Sequence, residues 1–145
     1  KVHPRHVASV AADHGLAFEE ILRSCGLLPA EIILELEVLD GFDSTHLLRA
    51  IANYKSRGYG ISLTGSGNSV PGLTLIRDAQ PTIVSFGREA SRASPSVKPL
   101  IDELRGVQIK TMFRGESTPP VRKSLVDNGF DLYTVPSEKR LLQAS

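Results

Sequence analysis

The sequence predicts an α/β protein in which parallel strands alternate with helices. Three observations carry this reading. Short runs rich in branched apolar residues recur with strand periodicity, as in Glu31 to Leu39, EIILELEVL. Between them, apolar residues recur at helical spacing, as in Leu47, Leu48, Ile51 and Tyr54. Glycines punctuate the joins, at Gly26, Gly58, Gly106 and Gly129. Parallel strands need crossovers, and the helices supply them. Two architectures fit: an open doubly wound sheet, or part of a (β/α) barrel. In both, ligands sit at the carboxyl ends of the strands.

Taken in order, Phe18, Ile21, Leu22 and Cys25 predict a helix that stops at Gly26, with Cys25 buried as a small apolar residue. Glu31 to Leu39 follows as a strand. Ser44 or Thr45 is expected to cap a helix that ends at Gly58. Tyr59 to Leu63 reads as a strand, Val70 to Asp78 as a helix and Thr82 to Phe86 as a strand. Val97, Leu100, Ile101 and Leu104 form a helical face closed by Gly106, and Val107 to Phe113 forms the next strand. Thr118 with Pro119 gives an N-cap followed by proline at the first helical position, and that helix stops at Gly129. Asp131 to Val135 is the last strand, and Glu138 to Gln143 a short closing helix.

Composition narrows the partners. The chain has 145 residues, 41% hydrophobic and 23% charged, with a net charge of +1. Mixed charge of that size speaks against a nucleic-acid surface driven by counterion release, and against an anionic membrane. The basic residues Arg122, Lys123, Lys139 and Arg140 read as solvated helix faces. No apolar run approaches the roughly 20 residues of a membrane span, and no signal peptide is evident. The chain opens at Lys1, as a cut or processed terminus would. A single cysteine excludes an internal disulfide and a cysteine metal cluster. A cytoplasmic setting is expected. His3 and His6 have Pro4 between them and no evident third ligand, and are expected to face solvent, while His14 and His46 stand beside helix starts.

Leu63 to Gly72, LTGSGNSVPG, has the look of a phosphate loop and fails as one. Gly67 and Gly72 have the spacing of a nucleotide-binding P-loop, but Leu73 stands where its lysine must be. A dinucleotide fingerprint starting at Gly65 and Gly67 would need glycine in place of Val70. The glycines are expected to serve a tight strand-to-helix turn.

Read together, the strand ends LELEV, GYGISLTGSGNSVPGLTLIRDAQPTIVSFGRE, IKTMFRGEST and LVDNGFDLYTVP resemble the EAL domain, the bacterial cyclic di-GMP phosphodiesterase family. The resemblance covers nearly the whole chain. It rests on apolar and glycine positions: Gly58, Ile61, Leu63, Gly67, Leu73, Pro81, Ile83, Gly115, Thr118, Gly129 and Asp131. It implies a TIM-like (β/α) barrel of EAL type lacking its N-terminal strands, built as one partial domain over residues 1–145. The chemical positions depart from the family. Glu35 keeps the first glutamate of E-x-T-E, with Glu37 and Val38 at its last two places. Thr64 and Gly65 stand where D-D-F-G-T-G has its paired aspartates. Ser85 and Gly87 replace the lysine and aspartate of K-I-D. Arg114 and Ser117 replace the two glutamates of E-G-V-E. The Q-G-Y loop is shortened or absent between Tyr133 and Pro136, and no Glu-Ala-Leu occurs.

Two-metal phosphodiester hydrolysis needs a cluster of hard oxygen ligands. Of the family's acidic set the resemblance leaves Glu35, and Arg114 adds a charge that opposes a cation. The expectation is therefore a catalytically inactive EAL-like domain without a cofactor. It would act as a regulatory or protein-interaction module in cyclic di-GMP signalling, with a protein partner or an upstream signalling domain. Two alternatives stand beside it. One is a metal-free cyclic di-GMP receptor using the Arg114 guanidinium, and the other an active phosphodiesterase whose ligands lie in another segment or partner. Glu35 is expected to face solvent, and Arg114 to bind phosphate or to pair with Glu116, Glu35 or a partner residue. A barrel of this type has about 250 residues, so the chain is expected to be a fragment, to belong to a larger protein, or to form a homo-oligomer over its open edge.

Overall fold

A computed structural model describes residues 14–39, 43–65, 70–87, 97–116 and 118–134. Helix α1, His14–Ser24, leads through a short 3-10 turn at Pro29–Glu31 into strand β1, Ile33–Val38. Helix α2 spans Ser44–Ser56, β2 Gly60–Gly65, α3 Leu73–Ala79 and β3 Ile83–Phe86. Helix α4 spans Val97–Gly106, β4 Lys110–Phe113, α5 Pro119–Asp127 and β5 Leu132–Tyr133. The expected alternation is present throughout these residues. The expected helix at Glu138 to Gln143 lies outside them.

The ends of the elements correct the sequence reading. The cap of α2 is Asp43, whose Oδ1 accepts from the Thr45 N–H at 2.8 Å. A carboxylate does this as well as the hydroxyl expected there, and adds charge at the positive helix end. Gly106 is the last residue of α4; the left-handed residue that turns the chain into β4 is Gln108, φ +61. The strand therefore starts at Lys110 rather than Val107. Thr118 occupies the cap position of α5 without a side-chain cap bond. Lys55 closes α3 from a distance, its Nζ donating to the carbonyls of Ala79 at 3.2 Å and Gln80 at 2.8 Å.

The five strands are parallel and lie in sequential order, β1-β2-β3-β4-β5. This decides between the two architectures. A doubly wound sheet reverses its strand order at a switch point; a barrel does not. The chain has the fold of part of a (β/α) barrel.

Burial assigns the two sides of the sheet. Leu34, Leu36, Ile61 and Leu63 pack with Leu22, Leu47, Ile51 and Tyr59 in one apolar cluster. Val84, Phe86 and Phe113 pack with Ile76, Ile101, Leu104, Leu125 and Phe130 in a second. Helices cover this outer side. Strand alternation then sends Glu35, Glu37, Ser62, Thr64, Ser85 and Met112 to the opposite, concave side.

Helix α1 departs from expectation. Of its four supposed core residues Leu22 is buried, while Ile21 is 60% exposed and Cys25 is exposed. The apolar stripe is real, but no strand among the described residues precedes β1 to cover it. Phe18 finds a partner in Tyr59, with ring centroids 6.1 Å apart, and Glu19 ties α1 to α2 through Arg57 at 2.9 Å.

Candidate functional site

The concave side is polar where the outer side is not. Ser62, Thr64 and Ser85 are buried there. The Ser62 and Ser85 hydroxyls lie 3.2 Å apart and share a hydrogen bond. Thr64 Oγ1 approaches the Gly65 carbonyl at 3.5 Å.

Across this floor Glu35 of β1 meets Arg114, the residue after β4, in an ion pair between Oε1 and Nη1. The Glu35 side chain is 20% exposed and that of Arg114 37%. Glu35 is thus not the solvent-facing residue expected from the sequence. Among the described residues, Glu35 rather than Glu116 pairs with Arg114.

The pair also reports the curvature. Sheet register sets Glu35 opposite Ser62, Ser62 opposite Ile83 and Ile83 opposite Lys110. Arg114 lies four residues beyond Lys110. In a flat sheet that offset and three strand spacings would separate the Cα atoms by roughly 19 Å, beyond the joint reach of the two side chains. A tilted barrel shifts the level by about one residue per strand, which brings such positions into one layer.

Each singled-out residue has a place. Glu35, Thr64 and Ser85 share the concave side, and Arg114 reaches onto it. Gly65 ends β2, and Gly87 follows β3 next to Phe86, whose carbonyl accepts from the Arg114 N–H at 2.8 Å. Ser117 lies outside the described residues, as do His3 and His6. His46 sits 3.8 Å from Asp43 at the start of α2, exposed and away from the concave side. The sequence reading did not single out Ser62, Lys110 or Met112 for this side. The signal was alternation along each strand, which joins Glu35 to Glu37, Ser62 to Thr64, and Lys110 to Met112 and Arg114.

The strand after this site is fixed by side chains. Asp131 Oδ2 accepts from the Thr111 N–H at 2.8 Å and from Thr111 Oγ1 at 2.9 Å, and the Asp131 N–H donates back to Thr111 Oγ1 at 3.3 Å. Thr134 Oγ1 donates to the Gly115 carbonyl at 2.8 Å. These bonds set the backbone on either side of Arg114.

Among the described residues, strand alternation puts the carboxylates Glu35 and Glu37 and the cations Lys110 and Arg114 on this side. Among the described residues no group of three or more His, Cys, Asp or Glu side chains could hold a metal ion. No helix among them is long and apolar enough to cross a membrane.

No family profile and no curated protein matches the chain. Solved structures do. BlrP1 of Klebsiella pneumoniae, in complex with manganese and cyclic di-GMP, superposes with a TM-score of 0.78 at 16% identity, over 91% of this chain and 36% of that one. The EAL-domain protein YkuI of Bacillus subtilis, in complex with substrate cyclic di-GMP and calcium, gives 0.67 at 19% identity, over 83% and 33%. A standalone EAL protein of Vibrio cholerae, bound to cyclic di-GMP, gives 0.68 at 23% identity, over 79% and 52%. The chain therefore has the fold of part of an EAL-type barrel. It spans about a third of the first two structures and about half of the third.

Proposed function

We propose that this is a catalytically inactive EAL-like domain that serves as a regulatory or protein-interaction module in cytoplasmic cyclic di-GMP signalling. The observation that carries the reading is the Glu35–Arg114 ion pair. The one carboxylate that the family resemblance leaves in place is engaged by a guanidinium instead of standing in an acidic cluster. A divalent cation brought to Glu35 would have to displace Arg114 and then share the site with its charge. Thr64, Gly65, Ser85 and Gly87 supply hydroxyls or nothing where the family resemblance implies carboxylates and a lysine. The solved neighbours hold cyclic di-GMP with calcium or manganese, which supports the signalling context and sharpens the contrast in ligands.

The test is turnover. The full-length protein, incubated with cyclic di-GMP and Mg²⁺ or Mn²⁺, is expected to release no linear dinucleotide. Metal-dependent product formation would overturn the reading.

A further inference from the structure

We propose that the Glu35–Arg114 ion pair is a charge-operated tie that sets the curl of the sheet, and with it the width of the mouth at the strand carboxyl ends. Such a tie works whether or not the domain turns over a cyclic dinucleotide.

Three observations carry it. First, the pair skips two strands. Glu35 belongs to β1 and Arg114 follows β4, 79 positions later, whereas the Ser62–Ser85 bond joins neighbouring strands. In a flat sheet the two side chains could not meet, so the contact exists only in a curled one. Such coupling is reciprocal: curl favours the pair, and the pair favours curl by the same factor. Second, both ends of the tie are seated in backbone. Glu35 is in register with Ser62 of β2. The Arg114 N–H donates to the Phe86 carbonyl of β3 at 2.8 Å. Next to it, the Gly115 N–H donates to Thr134 Oγ1 at 3.2 Å, and the Gly115 carbonyl accepts from that hydroxyl at 2.8 Å. Third, the ladders leave the curl adjustable. Neighbouring strands tolerate relative rotations from about −10° to −35°, and the β2–β3 ladder between the two ends of the tie is three residue pairs long. With side chains 20% and 37% exposed, the pair is within reach of solvent ions. Curl then follows the charge state of one contact.

Double electron–electron resonance between two nitroxide labels reads the curl directly. The labels go on Ile33→Cys of β1 and Leu132→Cys of β5, exposed positions on the two outermost strands of the described sheet, in the full-length protein carrying Cys25→Ser. Flattening lengthens the chord between them. Glu35→Gln and Arg114→Gln should each lengthen and broaden this distance relative to the wild-type pair, and the double variant should add nothing further. Glu116→Gln, which removes a neighbouring charge outside the pair, should leave it unmoved. Salt at about 1 M, where the screening length falls to about 3 Å, should shift the wild-type pair in the same direction and leave Glu35→Gln where it is. If Glu35→Gln does not fold, Arg114→Gln and the wild-type salt response carry the test. A distance unmoved by charge removal in a folded variant overturns the proposal. So does an equal shift in Glu116→Gln, or a salt response that persists undiminished in Glu35→Gln.

Discussion

Removing the hydroxyl of Tyr59 should make this protein more stable. Tyr59 is 3% exposed, and its hydroxyl has no hydrogen-bond partner among the described residues. Its ring is well used, stacked on Phe18 at 6.1 Å and edge-on to Tyr54 at 5.8 Å. Tyr59→Phe keeps both ring contacts and deletes only the orphaned group. Burying an unpaired hydroxyl costs about 1–3 kcal/mol. The residue lies under α1 rather than at the sheet centre, so the lower end applies, and Tyr59→Phe should gain about 1 kcal/mol, or about 3 °C in Tm. Urea unfolding, with an unchanged m-value, is the assay. Alkali gives a second arm. Burial first, then the charge of Glu19, raises the Tyr59 pKa above its ordinary value of 10.0. The folded state holds that proton more tightly than the unfolded state. Wild-type stability from this group is whole below pH 10 and falls as pH rises through the folded pKa. The variant should lack that loss. A variant destabilised by about 1 kcal/mol or more would mean that the hydroxyl has a partner and that the reasoning is wrong.

Other outcomes follow from other residues. Gly129→Ala puts a Cβ 2.7 Å from Arg105 Nη2 at φ +86, and disturbs the bond from that nitrogen to the Gly129 carbonyl. It should cost about 1–2 kcal/mol in urea unfolding, and an unchanged midpoint would refute the assigned conformation. Asp43→Ala should lower Tm and Asp43→Asn should lower it less, since the amide oxygen can still accept from Thr45. The Thr45 N–H holds the Asp43 pKa below 3.8. Its contribution is therefore present above that pH and fades as pH falls through the folded value; a cap variant matching wild type at pH 6 would count against it. Cys25, exposed after α1, should react fully with a disulfide reagent in the native protein, and protection without denaturant would place it in a covered surface.

What the sequence revealed depended on range. Strands and helices were legible because their periods are local. The order of strands is a long-range property, so the barrel and the open sheet both remained until the β1–β5 succession separated them. Arg114 and Glu35 were each conspicuous, but their pairing spans three strand steps and a register offset that no single segment encodes. The caps failed for a different reason: Asp43 and Ser44 are both good caps, and propensity alone could not choose between them. In α1 the apolar stripe of Phe18, Ile21, Leu22 and Cys25 showed that a face exists. It could not show whether anything covers that face, which is why Cys25 was misplaced.

The apolar interior is divided. One cluster joins β1 and β2 to α1 and α2, the other joins β3 and β4 to α4 and α5, and α3 gives Ala79 to the first and Ile76 to the second. Each cluster is assembled from neighbours in sequence. Such units open separately in hydrogen exchange and form early in folding, because little chain entropy is lost in closing them. Amides of Ile61 to Leu63 and of Val84 to Phe86 should then fall into two protection classes. Their shared border, the β2–β3 ladder running beneath the serine pair, becomes the seam along which the half-barrel would part.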